Sequence, residues 1–161
     1  MNTEECWPHR NRLEGAALRS AWADLLSRVP WKLFVTLTFD PKRVYPVSAT
    51  TASREAFWWC GQTSRVLRSP VGWVYAPERG RSGQWHVHAL LVGVPDRILA
   101  SIEIWKGRNG FIDVQQVRDV RGVALYTTKA AALTGEVAWS DTLGRYRASL
   151  TDRGREAALH L

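Results

Sequence analysis

Gln84-Trp85-His86-Val87-His88-Ala89-Leu90-Leu91-Val92-Gly93 is the segment around which the rest of the chain can be arranged. Its apolar run has the length and composition of a strand, and Gly80 and Gly83 just upstream mark a hairpin loop. Side chains alternate along a strand, so His86 and His88 share one face, while Trp85, Val87, Ala89 and Leu91 take the other. Two imidazoles on adjacent same-face positions can hold one metal ion, because each offers a neutral nitrogen lone pair. An isolated His-x-His also fits a plain strand with two hydrogen-bonded histidines, so the weight falls on what accompanies it.

Outward from this strand, the periodicity predicts alternating elements. Upstream, Val71 to Glu78 reads as the partner strand, joined through the arginine-bearing loop Arg79-Gly80-Arg81-Ser82-Gly83. Before that, a helix is expected over about 52–68, with Phe57, Trp58, Cys60, Gly61 and Val66 facing inward and Arg54, Arg65 and Arg68 outward. Residues 31–39, Trp-Lys-Leu-Phe-Val-Thr-Leu-Thr-Phe, form a strand ending at the turn signal Asp40-Pro41. On it Val35, Leu37 and Phe39 should meet helices, and Phe34, Thr36 and Thr38 should line a wetter face. Residues 9–28 carry Leu13, Ala17, Leu18, Ala21, Trp22, Leu25 and Leu26 at helical spacing, with Pro30 as a stop.

Downstream, Pro95-Asp96 opens a helix to about Lys106 with Ile98, Leu99, Ile102 and Trp105 inward, and residues 107–110 make a turn. A strand follows from Phe111 to Val117, and an alanine-rich helix from Val120 to Leu133. A hairpin around Thr142-Leu143-Gly144 and a final helix over 151–160 complete the reading. Hairpin-linked strands mixed with crossover helices imply an α+β fold: one antiparallel or mixed sheet with helices mainly on one face. The open face then carries the chemistry.

Composition bounds the partners. The 161 residues suit a single domain with a substantial core, and 45% hydrophobic content with nine tryptophans excludes a disordered chain. Net charge is +7 and the isoelectric point about 10.0. Arg heavily outnumbers Lys, which suits bidentate phosphate contact and base stacking and points to a nucleic-acid partner. Cys6 and Cys60 are too few and too scattered for a disulfide framework or zinc knuckle. With no apolar run near the ~18 residues of a membrane span, the expectation is a cytoplasmic protein with reduced thiols and no membrane partner.

Two further features accompany the histidines. Tyr126 and Lys129 lie three apart on the expected helix, hence on one face. A nearby cation favours an attacking phenolate oxygen and neutralises charge building on a phosphate, so Tyr126 is a candidate covalent nucleophile. Glu78, at the end of the strand before the hairpin, adds a carboxylate to two imidazoles, a three-ligand set with positions open to a substrate oxygen. Register bears on this set. A plain six-residue loop over 79–84 turns Glu78 to the wrong face, whereas pairing Glu78 with His86 requires a seven-residue connection or a bulge. Gln84 and Asp113 are the alternative ligands.

Phe34-Val-Thr-Leu-Thr-Phe39, His86-Val87-His88 and Tyr126-x-x-Lys129, in this order, resemble the three motifs of the HUH endonucleases, most closely the single-tyrosine replication initiators of rolling-circle plasmids and small phages. The resemblance spans about residues 31–133. It implies a ferredoxin- or RRM-like core with a five-stranded sheet, and the histidines on a central strand. It implies metal-dependent nicking and religation of single-stranded DNA through a 5′-phosphotyrosine intermediate. By that resemblance Glu78, His86 and His88 hold one divalent metal, Mg²⁺ or Mn²⁺, Tyr126 is the nucleophile and Lys129 assists it. Arg79, Arg81, Arg118, Arg121, Thr36 and Thr38 are the expected DNA contacts. The partners implied are single-stranded DNA, including an origin hairpin, and a host helicase. Ala130-Ala131-Ala132 follows where two-tyrosine relatives carry a second phenol, so one tyrosine is expected. Residues 1–161 are expected to form one domain, with no helicase domain after residue 133. The competing readings are a single-tyrosine transposase of the same superfamily and a non-catalytic RRM-like nucleic-acid-binding module.

Overall fold

Alternating burial along Leu33–Phe39 (β1) shows how the sheet is built: Leu33, Val35, Leu37 and Phe39 are buried and the residues between them half-buried. A computed structural model describes residues 7–127, 129 and 137–146, with side chains from residue 16 onward except Leu18. The elements run α1 (Trp7–Leu26), β1, α2 (Ala49–Leu67), β2 (Gly72–Arg79), β3 (Trp85–Val92), α3 (Leu99–Arg108), β4 (Gly110–Gln116), α4 (Val120–Thr127) and β5 (Ala138–Trp139). The strands form one antiparallel sheet in the order β4-β1-β3-β2-β5. From β1 to β4 this is a βαββαβ unit, in which β3 folds back between β1 and β2. The histidine strand is therefore central.

On one face, α2 and α3 close over Leu33, Val35, Leu37, Phe39, Tyr75, Val87, Ala89 and Leu91. Burial of each of the larger of these side chains contributes roughly 1.5–3 kcal/mol. Ser48 caps α2 by accepting the Thr51 N–H at 3.1 Å. Trp59 and Trp105 are fully buried. The Trp59 indole N–H donates to the Ser101 carbonyl at 2.8 Å, fixing α2 to α3. The Trp105 indole donates to the carbonyls of Phe111 (2.8 Å) and Thr38 (3.3 Å), so α3 sets the ends of β1 and β4 beside the open face. Glu55, also buried, receives Arg108 through two N–H groups at 2.8 and 3.3 Å and Asn109 at 3.3 Å, tying α2 to the α3–β4 junction.

The other face is roofed at one end. Trp22, Ala23 and Leu26 of α1 and Ala124 of α4 pack with Val74, Leu90 and Val92, and Phe34 lies half-buried against them. Among the described residues this second layer ends with α4 beside His88, which is buried, and leaves His86 in the next row half-buried. Helices thus flank both faces, with the second layer confined to half the sheet.

Several inner positions differ from expectation. In α2 the buried side is Ala52, Glu55, Ala56, Trp59, Cys60 and Thr63, while Phe57 and Val66 are exposed. The helix begins at Ala49, and the stripe that meets the sheet carries small residues and one paired carboxylate that hydropathy passes over. Ala17, Ala21 and Leu99 also point outward. The expected turn over 107–110 is taken up by α3 as far as Arg108. No hairpin forms around Thr142-Leu143-Gly144: Ala138 and Trp139 pair with Tyr75 and Val74 of β2, and residues 143–146 make a helical turn. The open edge of β2 presents those residues with a ready-made ladder. The continuation of α4 to Leu133 and the final helix over 151–160 fall outside the described residues, except for Lys129.

Candidate active site

The hairpin between β2 and β3 settles the register. Glu78 pairs with His86 across a seven-residue connection, and within it Arg79 pairs with Trp85, so the loop itself is the five residues 80–84. The remaining loop closes with Gly80 N–H donating to the Gln84 carbonyl (2.8 Å) and Gly83 N–H to the Gly80 carbonyl (2.9 Å). Gly83 sits at φ 82°, a left-handed conformation that favours glycine. A side chain at Gly80 would press on the histidine: a Cβ there would lie 3.2 Å from His86 Nε2. Directly paired residues share a face, so one row of the sheet reads Phe111, Thr38, His86, Glu78, and the next Asp113, Thr36, His88, Ala76.

Within these rows each imidazole is held by the threonine opposite it. His86 Nδ1 lies 3.1 Å from Thr38 Oγ1, and His88 Nδ1 3.3 Å from Thr36 Oγ1. A hydroxyl both donates and accepts, so Thr38 accommodates either tautomer of His86, whereas His88, whose Nε2 faces the Glu78 carboxylate, donates there and accepts from Thr36 through Nδ1. The Glu78 carboxylate bridges two partners, with Oε2 3.0 Å from His88 Nε2 and Oε1 2.8 Å from Lys129 Nζ. Although it stands opposite His86, its carboxylate is committed to His88 and Lys129. Burial alone raises the Glu78 pKa, but Lys129 and His88 outweigh it and the net shift is downward, leaving a carboxylate at neutral pH. Burial is the main cause of a lowered pKa at His88, against which Glu78 pulls upward, so the ring is neutral at pH 7.

Tyr126, in the last turn of α4, stands over the same face. Its ring meets His88 edge-on at 4.8 Å between centroids and Phe34 at 5.8 Å, and it is 47% exposed. Lys129 lies in a turn just past α4, its Nζ 5.7 Å from the Tyr126 ring, so the two remain neighbours beyond the helix end. A phenol open to solvent, a carboxylate-bound ammonium, a carboxylate and two imidazoles thus converge from α4, the turn after it, β2 and β3.

Residues 32–131 match a family described as replication-associated protein, of the ORF2 kind. The chain belongs to that family. The match runs from the start of β1 past Lys129 and takes in each of these side chains. It is a replication-associated family of rolling-circle Rep type, in keeping with the HUH resemblance of the three motifs. No curated protein and no solved structure matches the chain.

The other expected site residues are distributed differently. Thr36 and Thr38 each place a hydroxyl within hydrogen-bond distance of the histidine opposite. Arg79 is on the opposite face from Glu78 and donates through Nε to the Gly83 carbonyl at 3.2 Å, bracing its own hairpin. Arg121 pairs with Asp24 of α1. Arg81 is exposed at the hairpin tip, and Arg118 lines a cleft at the β4–α4 junction. Of the alternative ligands, Gln84 donates to the Phe39 carbonyl at 2.7 Å, and Asp113 lies on the site face two strands from β3. Phe111, exposed in the row of His86, carried no functional expectation. Reading the alternation of β4 from Asp113 would have placed it on the site face.

No helix among the described residues is long and apolar enough to cross a membrane. Among the described residues, no three His, Cys, Asp or Glu side chains stand close enough together to enclose a metal ion.

Proposed function

We propose that this replication-associated protein nicks and religates single-stranded DNA through a 5′-phosphotyrosine at Tyr126, initiating rolling-circle replication of a plasmid or phage. The observation that carries the reading is the approach of the Tyr126 ring to within 4.8 Å of the His88 ring, on the sheet face that also bears His86 and Glu78.

Glu78, His86 and His88 would hold a divalent ion, Mg²⁺ or Mn²⁺, whose chemistry when bound is Lewis-acid polarisation of the scissile phosphate. Two features of the donor set favour this. His88 Nε2 and Glu78 Oε2 lie 3.0 Å apart, so an imidazole nitrogen and a carboxylate oxygen stand side by side as a donor pair that a divalent ion could take. Thr36 and Thr38 can accept the Nδ1 protons, which frees Nε2 of each ring as a lone pair. Completing the set requires His86 to turn from Gly80 toward Glu78.

The chain's own residues account for the transfer. The Tyr126 oxygen attacks phosphorus in line. The new O–P bond replaces the P–O3′ bond, the phenolic proton passes to solvent, and the departing 3′ oxygen takes up a proton. Lys129, half-exposed beside Glu78, offsets negative charge on the phosphoryl oxygens as it builds. Because a phosphodiester replaces a phosphodiester, a 3′ hydroxyl can reverse the step and rejoin the strand.

The test is incubation of the full chain with a labelled, randomised single-stranded oligonucleotide pool and Mn²⁺. The expected products are an SDS-resistant protein–DNA adduct and a released fragment with a 3′ hydroxyl. Tyr126→Phe should abolish both while retaining DNA binding. Binding without any adduct in the wild type would leave a nucleic-acid-binding module and overturn the proposal.

A further inference from the structure

The site face is asymmetric in a way that the nicking chemistry leaves unused. Its edge strand, β4, presents Phe111, Asp113 and Gln115 outward in the rows of Thr38, Thr36 and Phe34. All three are exposed, and Phe111 is 66% exposed although its own carbonyl is gripped by the buried Trp105 indole. An aromatic ring held on a fixed backbone at the open end of a sheet is a stacking surface. Next to it, Gln115 Nε2 donates to Asp113 Oδ2 at 2.6 Å, which orients both side chains. The pair keeps a carboxylate oxygen, an amide carbonyl and an amide N–H for other partners. Asp113 has no ion-pair partner among the described residues.

Charge is distributed the other way across the sheet. On the far side of His86 and His88, Lys129 stands over β2 and Arg81 tips the β2–β3 hairpin. A phosphate chain is drawn to that side and repelled by Asp113, whereas a nucleobase amino group is a good partner for a carboxylate oxygen. Adjacent strands are about 4.8 Å apart, so β4 is about 10 Å from β3, within a nucleotide's reach from its phosphorus to the far edge of its base. Along β4, Phe111 and Asp113 are about 7 Å apart, close to the spacing of successive nucleotides on an extended strand. Gln115 then borders a cleft of about 540 Å³ with Arg118 and Asp119.

We propose that β4 is the base-reading edge of the site. Single-stranded DNA lies with its backbone over β3 and β2, Phe111 stacks on a base beside the scissile phosphate, and the Asp113–Gln115 pair selects an amino-bearing base next to it. This rests on the nicking reading for the position of the phosphate, and it adds the orientation of the strand and the residues that discriminate bases.

The test is fluorescence anisotropy at fixed salt with a labelled, randomised single-stranded pool, in the Tyr126→Phe background so that binding is read without cleavage. Adding Phe111→Ala should weaken binding roughly 5- to 150-fold, the range of one lost base stack. Phe111→Tyr, which keeps the ring and guards against a folding defect, should stay within about twofold. Asp113→Asn should leave overall affinity close to the parent but change the base composition of the bound pool at one position. Affinity unchanged by Phe111→Ala, or a bound pool unchanged by Asp113→Asn, overturns the inference. Adduct formation by the otherwise wild-type chain is read separately. If the adduct forms while the β4 variants behave as the parent, the base-reading edge fails alone; if no adduct forms but binding depends on Phe111, the nicking reading fails alone.

Discussion

Replacing Glu55 by Gln tests the joint that sets β4 beside the site. The carboxylate is 6% exposed and receives Arg108 at 2.8 and 3.3 Å, while Asn109 donates to the same oxygen as the shorter Arg108 bond. Gln keeps the volume but turns one acceptor into an N–H donor facing a guanidinium, so at least one bond becomes a repulsive contact. The Arg108 end is 51% exposed, and water takes over part of its lost interaction. The cost therefore falls between an exposed pair, about 0.2–1 kcal/mol, and a buried one, about 3–5 kcal/mol. About 2 kcal/mol is expected, a fall in Tm of roughly 4–8 °C for a domain of this size. Acid adds a second signature. The Arg108 hydrogen bonds lead in lowering the Glu55 pKa, burial opposes them, and Asn109 and Arg54 add to the lowering. A carboxyl lowered in the folded state contributes stability above its unfolded value, about 4.3, and loses it as pH falls through the folded value. The wild-type advantage over Glu55→Gln should thus hold at pH 7 and shrink below about pH 4. Urea denaturation across pH 3–7 measures it. A variant within about 0.5 kcal/mol of wild type at pH 7, or a gap that persists on acidification, rules out this role for the Glu55 carboxylate.

Other perturbations follow from the site's supports. Gly80→Ala places a Cβ 3.2 Å from His86 Nε2, which crowds the ring where it stands and favours its turn toward Glu78; Mn²⁺ affinity by calorimetry should hold or rise with little change in Tm, and a loss of about 10-fold would contradict that turn. Lys129→Ala removes a half-exposed cation, so stability should change by less than about 1 kcal/mol, while the single-turnover rate of adduct formation should fall about 100-fold. Trp105→Phe deletes the donor to the Phe111 and Thr38 carbonyls and should cost about 1–3 kcal/mol in urea denaturation.

The sheet was legible because its strands obey a period of two: the faces of β1 and β3 follow from alternation alone, and the antiparallel hairpin from its glycines. The Glu78 register was posed by the sequence as two alternatives and decided by one extra pair, Arg79 with Trp85. Helix faces were harder to read. The inner stripe of α2 combines Trp59 and Cys60 with alanines, a threonine and a glutamate whose burial depends on Arg108, a partner 53 residues away. The fates of Arg79 and Arg121 were likewise hidden, since each is drawn off by a partner that only the fold brings near, the Gly83 carbonyl and Asp24. The Tyr126–His88 approach joins α4 to β3 at the border of the roofed end of the sheet. Spacing within either element does not specify that contact; the order of the motifs anticipated it through family likeness.

Covalent attachment of DNA to one defined side chain is the event on which the nicking reading stands or falls. An adduct formed with Mn²⁺ is trimmed by nuclease, digested with trypsin and sequenced by mass spectrometry. The expected product is a nucleotide joined through its 5′ phosphate to Tyr126, within the peptide running from Gly122 to Lys129. A nucleotide on any other residue, or an adduct undiminished in Tyr126→Phe, contradicts it.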